Sequence, residues 1–406
     1  MRDYTKITVT PKAERSLRAG HPWVYDGELT AIEGAYENGD IVDVYTQKDR
    51  YLGSGFINDH SRIRVRLLSR NANDRFDEGF WTRRLHYALD YRRAVMGPED
   101  YACCRLIFGE ADGLPGLTVD RFGPVLVAQV LSLGIERRKE LIFNALLTLL
   151  REQGQEITAL YERSEASLRD KEGLERKKGF FTFMGNEPPS GHVEILENGL
   201  RIDVDYVEGQ KTGWFLDQKY NRLAIRRLAE GRRVLDCFTH TGAFALNAAA
   251  AGAERVTAVD VSADALEQAR HNAALNGLEG HIDFVKADVF DLLTEKANGG
   301  KGEWDFIILD PPAFTKSSGT VKNAIRGYKE INLKAMKLLP RGGYLATCSC
   351  SHFMTDELFR QMLRDAAADA AVSLRQIEAR QQAPDHPILW NVPETEYLKF
   401  YIFQVV

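Results

Sequence analysis

Cysteine is scarce in this sequence, with five cysteines among 406 residues. So few thiols, in an odd number, exclude the disulfide framework that holds small secreted domains together. The sequence also lacks any run of 18 apolar residues, and its first ten residues contain no apolar stretch typical of a secretory signal. We therefore expect reduced thiols, a cytoplasmic setting, no membrane span and no membrane partner.

Glycine-rich phosphate-binding loops are a second absence. No P-loop occurs, and the strand–loop–helix segment Asp236–Phe244 has one glycine, Gly242, where a dinucleotide fingerprint needs three. Without close backbone approach to a pyrophosphate, we expect no NAD or FAD site. No metal site is expected either.

Net positive charge is also absent, since the formal net charge is −5. The charge is uneven, however, because nine arginines stand against four acidic residues between Arg62 and Arg93. The alternation in R-I-R-V-R predicts a strand with Arg62, Arg64 and Arg66 on one face. That face is either a solvated edge or a surface that contacts phosphates.

A chain of this length should hold two or three domains. Residues 1–72 read as short strands between Gly and Asp turns, which predicts a small all-β barrel. Residues 77–190 predict a small α+β domain, beginning with a helix from Asp77 to about Met96. The segment R-A-G-H-P-W-V-Y-D-G-E-L, with His21 and Trp23, resembles the opening of PUA domains, which are small RNA-binding barrels.

Strands and helices alternate strictly from Arg232 onward, within a third predicted domain at 191–406. Five near-continuous apolar strands predict a parallel sheet covered on both faces. A helix is expected at 356–371, followed by two further strands. Only a short link joins those two strands, so the last one should run antiparallel. The fold class is therefore α/β, with this sheet preceded by the barrel and the α+β domain.

Four strands in a row end in or just before an aspartate, namely Asp236, Asp260, Asp288 and Asp310. One such residue could simply cap the next helix, but four on one sheet edge indicate a ligand site. Four aspartates and no phosphate-binding loop favour a ligand that is positively charged, contains a ribose and lacks phosphate. S-adenosylmethionine has these properties. Asp260 would accept bonds from the ribose, Asp288 from the adenine amino group, and Asp236 would face the methionine end.

Residues 232–406 resemble a class I S-adenosylmethionine-dependent methyltransferase, with a seven-stranded sheet and an antiparallel last strand. The resemblance is carried by D-C-F-T-H-T-G-A-F, V-D-V-S, K-A-D-V-F and L-D-P-P-A-F. Upstream, G-Q-K-T-G-W-F-L-D-Q-K-Y-N-R resembles the segment that lies over the cofactor in RNA methyltransferases of this kind. The resemblance implies cofactor contacts at Lys211, Thr212, Gly213, Phe215, Asp217, Gln218, Asp236, Phe238, Thr239, Gly242, Asp260, Val261, Asp288, Val289, Asp310 and Pro311.

With its N-terminal segments, the whole chain is similar to bacterial 23S ribosomal RNA cytosine-C5 methyltransferases that carry a PUA domain. That similarity implies ribosomal RNA as the partner and a target base unstacked onto an aromatic side chain. The oligomeric state is left open, a homodimer included. The predicted RNA contacts are Phe314, Pro312, Lys316, Arg62, Arg64, Arg66, His21 and Trp23.

The last two cysteines, Cys348 and Cys350, fall where a predicted strand reaches the same edge. Carbon 5 of cytosine is a poor nucleophile until a thiolate adds to C6, so this chemistry needs a cysteine beside the cofactor. The family pattern Ser-Cys-Ser matches at Cys350, which we predict to be the nucleophile, with Cys348 in the core. A second group of such enzymes has another cysteine after the Asp-Pro-Pro motif. Here Ala313 and Phe314 stand there, so Asp310 is the candidate base for the C5 proton.

Two alternatives remain open at this point. D-P-P-A-F also suits methylation of an exocyclic amine of adenine or guanine, where Phe314 would stack on the base and no thiol is needed. The chain could instead be an RNA-binding assembly factor with an idle cofactor site. The intact acids at all four strand ends favour an enzyme over the second alternative.

Overall fold

The computed structural model describes residues 4–181, 190–299, 302–315 and 317–406. The chain divides into two compact units, called unit 1 and unit 2 below. Unit 1 comprises Met1–Ile195, Val204–Leu216 and Pro384–Thr395, and unit 2 comprises Leu196–Asp203, Asp217–Ala383 and Glu396–Val406. None of the described helices combines the length and the apolar character needed to span a bilayer.

The first sheet of unit 1 has the strand order β2-β6-β5-β4-β1-β3. Its strands are β1 (Lys6–Val9), β2 (Trp23–Tyr25), β3 (Leu29–Glu33), β4 (Ile41–Tyr45), β5 (Tyr51–Ile57) and β6 (Ile63–Ser69). Ile7 and Val9 alternate with more exposed neighbours along β1 and enter the sheet's apolar core. The sequence predicts four of these strands correctly. It misses β2, which has three residues, and β3, which is mostly exposed.

Helix α1 (Pro11–Arg18) lies between β1 and β2 and is also missed by the sequence analysis. Thr10 caps it, since the Thr10 Oγ1 accepts a hydrogen bond from the Ala13 amide at 3.3 Å. Pro11 occupies the first helical position, where its missing N–H costs no hydrogen bond. Only Ala13 and Leu17 are buried, so eight residues carry too little apolar periodicity to predict a helix.

The second sheet of unit 1 has the order β11-β10-β9-β8-β7. It contains β7 (Cys103–Phe108), β8 (Leu117–Phe122), β9 (Val125–Val130), β10 (Ala159–Ser164) and β11 (Lys177–Phe180), with helices α2 (Glu78–Val95), α3 (Leu133–Glu136) and α4 (Lys139–Glu152). Parallel β9 and β10 are joined through α4, the long crossover that such a pair requires. Both sheets belong to unit 1. The division of the chain into domains at 1–72, 77–190 and 191–406 remains a prediction.

A two-stranded hairpin follows, formed by β12 (His192–Glu197) and β13 (Leu200–Asp205). Its turn is Asn198-Gly199, and both residues have positive φ, +54° and +76°. Asn-Gly is the dipeptide that suits a tight hairpin turn of this hand.

Unit 2 is built on a seven-stranded sheet with the order β16-β15-β14-β17-β18-β20-β19. Its strands are β14 (Arg233–Cys237), β15 (Arg255–Asp260), β16 (Ile282–Lys286), β17 (Phe306–Leu309), β18 (Tyr344–Ser349), β19 (Leu374–Arg380) and β20 (Lys399–Val405). Its helices are α5 (Lys219–Ala224), α6 (Arg226–Ala229), α7 (Ala243–Ala250), α8 (Ala263–Leu275), α9 (Val289–Gly299), α10 (Val321–Leu338) and α11 (Asp356–Asp369). The predicted sheet is confirmed, including an antiparallel β20.

Strand β14 is the point where the order of this sheet reverses. Strands β15 and β16 lie on one side of it, and β17 and β18 lie on the other. Ligands of such sheets bind outside the carboxyl ends of the strands at this reversal. The carboxyl ends of β14 and β17 therefore define where a site should be.

Candidate active site

Asp236, within β14, is fully buried at the reversal point. Its Oδ2 accepts hydrogen bonds from Thr239 Oγ1 at 2.6 Å and from the Ala245 amide at 2.9 Å. Its Oδ1 is also buried and has no hydrogen-bond partner among the described residues. Burial raises the pKa of Asp236 to about 7. A cationic group with N–H donors would supply what Oδ1 lacks, which fits the predicted place of Asp236 beside the methionine end of the cofactor.

The loop that joins β14 to α7 has an unusual backbone. Positive φ angles occur at Phe238 (+62°), His240 (+50°) and Gly242 (+86°). At Gly242 a side chain would be strained, and its Cβ would lie 3.0 Å from Cβ of Ala269. The sequence signals this conformation at Gly242 but not at Phe238, because bulky residues rarely adopt it.

Asp260 and Asp288 follow the next two strands. The half-buried Asp260 accepts the His240 amide on Oδ2 and the Ser262 amide on Oδ1, both at 2.9 Å. The exposed Asp288 accepts the Phe290 amide on Oδ1 at 2.7 Å. Carboxylate oxygens each accept more than one hydrogen bond, so both side chains keep capacity for hydroxyl or amino donors.

Two apolar residues predicted to contact the cofactor follow these acids directly. Val261 follows Asp260 and is 58% exposed, whereas Val289 follows Asp288 and is buried in the core. A cofactor contact of Val289 would therefore come from its backbone.

Asp310 follows β17 and lies in a small polar cluster. Its Oδ1 accepts the Gln218 Nε2 at 3.1 Å and the Cys348 Sγ at 3.2 Å. Burial of the carboxyl group raises the pKa of Asp310 to about 6. Cys348 is fully buried, and burial raises its thiol pKa well above the ordinary value. A thiol in this state is a core side chain rather than a nucleophile.

Cys350 differs from the other four cysteines, which are all buried, because it is partly exposed. It follows the end of β18, and its Sγ lies 3.9 Å from the carbonyl oxygen of Pro311 in D-P-P-A-F. Its neighbours are anchored: Ser349 Oγ donates to Tyr328 Oη at 3.0 Å, and Ser351 Oγ donates to the Thr315 carbonyl at 2.8 Å. Ser-Cys-Ser therefore holds one reachable thiol against the Asp-Pro-Pro motif.

Phe314, the predicted stacking residue, is half-buried in an aromatic cluster. Its ring centroid lies 4.6 Å from that of Tyr328, 5.8 Å from that of Phe290 and 6.5 Å from that of Phe238. Much of its surface is therefore packed against protein. Pro312 is exposed beside it. Lys316 lies outside the described residues.

The segment predicted to lie over the cofactor divides between the two units. In unit 1, Thr212 Oγ1 donates to the buried Asp120 at 2.6 Å, and the Lys211 ammonium lies 4.6 Å from the centre of the Phe215 ring. Gly213 has φ +116°, and a Cβ there would lie 2.7 Å from the Asp205 carbonyl oxygen.

In unit 2, Asp217 accepts a hydrogen bond from Tyr397 Oη at 2.6 Å, and Gln218 contacts Asp310 as described. Of this segment, Asp217 and Gln218 are the predicted residues that belong to the same unit as the four strand-end acids. The roles of the residues in unit 1 stay predictions.

Two of the three arginines of R-I-R-V-R are neutralised within unit 1. Arg64 pairs with Asp59 at 2.8 Å, and Arg66 pairs with Glu110 at 3.1 Å and Glu172 at 2.8 Å. Arg62 is exposed, and no ion pair of its guanidinium occurs among the described residues. Arg62 thus remains available to a phosphate, while Arg64 and Arg66 already have partners.

His21 and Trp23, predicted to contact RNA, also have partners within unit 1. The His21 Nε2 lies 3.2 Å from a Glu394 carboxylate oxygen, and Trp23 Nε1 donates to Glu110 at 3.0 Å. Both side chains are half-buried. An RNA contact at either would use the ring faces or edges that remain open.

Lys399 is a residue that the sequence analysis missed. It begins β20 opposite Ser349, one residue before Cys350, and only 4% of it is exposed. Its Nζ donates to the carbonyls of Ser351 at 2.6 Å and Tyr397 at 2.9 Å. A lysine at the start of an otherwise apolar interior strand, K-F-Y-I-F, is the signal that could have revealed it.

The chain is similar to known proteins along almost its whole length. A family model described as S-adenosylmethionine-dependent methyltransferase matches residues 175–403, and a model of a PUA-like domain matches residues 7–70. Ribosomal RNA large subunit methyltransferase I of Klebsiella pneumoniae is 39% identical over 404 residues, covering 99% of each chain. The protein of the same name from Shigella dysenteriae is 40% identical over 402 residues, also covering 99% of each chain.

Two solved structures share the architecture. A proposed S-adenosylmethionine-dependent methyltransferase from Streptococcus mutans matches with a TM-score of 0.81 at 21% identity, covering 98% of this chain and 100% of that one. A proposed methyltransferase complexed with SAH matches with a TM-score of 0.82 at 21% identity and the same coverage. This likeness confirms the predicted fold class. The chain therefore belongs to the S-adenosylmethionine-dependent methyltransferase family, in the group of the ribosomal RNA large subunit methyltransferases I, and its cofactor is S-adenosylmethionine.

Proposed function

We propose that this chain transfers a methyl group from S-adenosylmethionine to C5 of a cytosine in large-subunit ribosomal RNA, with Cys350 as the nucleophile. One observation carries the proposal: the partly exposed thiol of Cys350 lies 3.9 Å from the Pro311 carbonyl of the Asp-Pro-Pro motif. A thiol in that position can add to C6 of a cytosine bound at the motif. Its four buried counterparts cannot reach a base.

Large-subunit ribosomal RNA as the substrate is supported by the names of relatives that cover 99% of this chain. A PUA-like domain in the N-terminal region and the exposed Arg62 suit a chain that grips RNA. Arg62 would contact phosphate rather than read a base, because a lone guanidinium on a strand edge gives affinity without sequence information.

Acidic residues of unit 2 would hold the cofactor. The hydrogen bonds that each carboxylate can still accept indicate which part of the cofactor it would contact. Asp260 would accept from the ribose hydroxyls and Asp288 from the adenine amino group. Asp236, whose Oδ1 lacks a donor, would face the cationic methionine end. The bound cofactor supplies an electrophilic methyl group on a sulfonium ion. Gly242 lets the loop after β14 approach closely, since a side chain there would be strained.

Proton transfer would involve Asp310. The electron pair of Sγ forms a bond to C6 of the cytosine, and C5 then carries the electron density that takes up the methyl group. The C5 proton must leave before the C6–S bond breaks and the thiolate returns. Asp310, whose pKa of about 6 leaves it mostly ionised at neutral pH, lies next to Cys348 and one strand from Cys350. It would accept that proton directly or through water.

The experiment must distinguish cytosine-C5 methylation from the alternative, methylation of an exocyclic amine through D-P-P-A-F. The test incubates the full chain with S-adenosylmethionine and unmodified large-subunit ribosomal RNA, and methylated nucleosides are then identified by mass spectrometry. We expect 5-methylcytidine from the wild type, and a loss of about 10³-fold or more in Cys350→Ala.

The matched control is Cys103→Ala, a buried cysteine in β7 of unit 1, which should keep wild-type activity. Full activity of Cys350→Ala, or N-methylated adenosine or guanosine as the product, would overturn the cytosine-C5 proposal. Both outcomes are readable only if Cys350→Ala still binds S-adenosylmethionine, which a thermal shift with the cofactor establishes.

A further inference from the structure

We propose that Lys399 is a positioning residue whose ammonium group stabilises the thiolate of Cys350. The inference rests on the proposed function of Cys350 and adds to it the residue that activates the nucleophile. Lys399 and Cys350 come from different segments of unit 2, which the antiparallel pairing of β18 and β20 brings together. Ser349 is the register partner of Lys399, and Cys350 is the next residue along the chain.

The environment of Lys399 is unusual for a lysine. Its side chain is almost wholly buried, yet its Nζ donates to two neutral carbonyl oxygens, those of Ser351 and Tyr397. No carboxylate lies within 4.0 Å of Nζ among the described residues. A buried ammonium that lacks an anionic partner is costly, so lysines are rarely placed this way without a reason. An anion at Cys350 would be such a partner.

The charged and titratable groups around this pair are few. Three groups favour the charged form of Lys399 electrostatically. They are Cys350 after the end of β18, Glu396 in the segment before β20, and Asp356 at the start of α11. Burial outweighs them and lowers the pKa of Lys399 to about 8. Cys350 also interacts electrostatically with Tyr328 of α10 and with Cys348, and burial raises the pKa of both. Lys399 is thus the cation of this group.

With a pKa of about 8, Lys399 is mostly an ammonium ion at neutral pH, and a nearby cation lowers the pKa of a thiol. The Sγ proton of Cys350 passes to water, and the ammonium of Lys399 stabilises the thiolate that remains. The thiolate electron pair then forms the bond to C6, as described above. When the C5–H bond breaks, its electron pair re-forms the C5–C6 double bond and the C6–S pair returns to sulfur. The ammonium of Lys399 then stabilises the released thiolate again.

The test measures the pH dependence of Cys350 alkylation by iodoacetamide in the full chain, with the modified peptide quantified by mass spectrometry. Lys399→Gln removes the charge but keeps N–H donors for the two carbonyls. Lys399→Arg keeps the charge. In Lys399→Gln we expect the pH midpoint of alkylation to rise by about one unit or more, which is about a tenfold loss of thiolate below the midpoint. In Lys399→Arg the midpoint should stay near that of the wild type.

An unchanged midpoint in Lys399→Gln would overturn the inference and leave Lys399 as a structural tether of two loops. Should Lys399→Gln not bind S-adenosylmethionine, Lys399→Met serves as the second neutral variant, with the same expected rise. The alkylation readout is independent of methyl transfer. A fully active Cys350→Ala would sink the proposed function, while the midpoints would still report on Lys399.

Discussion

Two cysteines that stand two residues apart have very different surroundings. Cys348 lies inside β18, is fully buried, and has its thiol pKa raised by burial beside Asp310. Cys350 lies just past the strand end and is partly exposed. Cys348 packs within the sheet, whereas Cys350 lies on the segment that follows the end of β18 at Ser349. Position along one strand thus separates a core filler from a candidate nucleophile.

The carboxyl group of Asp310 should shape the acidic side of the activity profile. Burial raises its pKa to about 6, and a base must be ionised to accept a proton. We therefore expect kcat to fall as the pH drops through about 6. Asp310→Asn should lose between 10² and 10⁴-fold in kcat, roughly the usual contribution of a general base, and lose this limb. Steady-state methylation rates from pH 5 to 9 measure both effects. An unaltered acidic limb in Asp310→Asn would assign it to another group.

Asp236 should make the stability of the cofactor-free protein depend on pH. Its pKa is raised from 3.8 to about 7 by burial, so folding favours the protonated form. The stabilisation is fully present below about pH 4 and is lost as the pH rises to about 7, amounting to up to about 4 kcal/mol. Urea denaturation at several pH values measures it as the difference between wild type and Asp236→Asn. A difference that does not change with pH between 4 and 8 would contradict the raised pKa.

At the scale of elements, the periodicity of apolar residues decided which strands and helices could be predicted. The apolar strands β14, β15, β17 and β18 and the antiparallel β20 carry strong local patterns, so the unit 2 sheet is predictable. Helix α1 and strands β2 and β3 are short or exposed, and their stability comes from tertiary contacts that no local pattern records.

The candidate site was predictable to the same degree. Asp236, Asp260, Asp288, Asp310 and Cys350 stand at strand ends that the sequence reveals. The ion pair of Arg66 with Glu172 and the contact between Lys399 and the Ser351 carbonyl join residues distant in the chain. Only the folded chain shows such pairs.

The loop between β14 and α7 should tolerate no side chain at Gly242. Its φ of +86° strains an L-residue by about 1–2 kcal/mol, and a Cβ would crowd Ala269 of α8 at 3.0 Å. We expect Gly242→Ala to bind S-adenosylmethionine at least about tenfold more weakly, since 1.4 kcal/mol corresponds to tenfold. Isothermal titration calorimetry measures it. Gly280→Ala is the matched control, because a Cβ there meets open space. Equal affinity of both variants would show that the loop is not part of the cofactor site.

At the scale of the molecule, most arginines of the arginine-rich region form ion pairs with carboxylates of the same chain. Nine arginines between residues 62 and 93 suggest a strongly basic surface, yet Arg64, Arg66, Arg83, Arg92 and Arg93 all pair with carboxylates within unit 1. The basic surface offered to RNA is therefore smaller than the sequence suggests. Arg62 belongs to the part that stays exposed.

Arg62 should contribute to RNA affinity through phosphate contact alone. Arg62→Gln should weaken binding to large-subunit ribosomal RNA a few-fold, and reduce the slope of log affinity against log salt by about 1. Binding titrations at several salt concentrations measure both. The control is Arg341→Gln, an exposed arginine of unit 2 near the amino end of β18, away from the site edge. A slope unchanged in Arg62→Gln would remove Arg62 from the RNA surface.

The central claim is a covalent bond between Sγ of Cys350 and C6 of a cytosine, and trapping that bond tests it most directly. In RNA that contains 5-fluorocytidine, the C5 fluorine cannot leave as a proton would, so the adduct persists after methyl transfer. Peptide mapping of the full chain after incubation with this RNA and S-adenosylmethionine should find a modified nucleotide on the peptide of Cys350, and none when the cofactor is omitted. Methylated product without any adduct, or an adduct on another cysteine, would contradict the account.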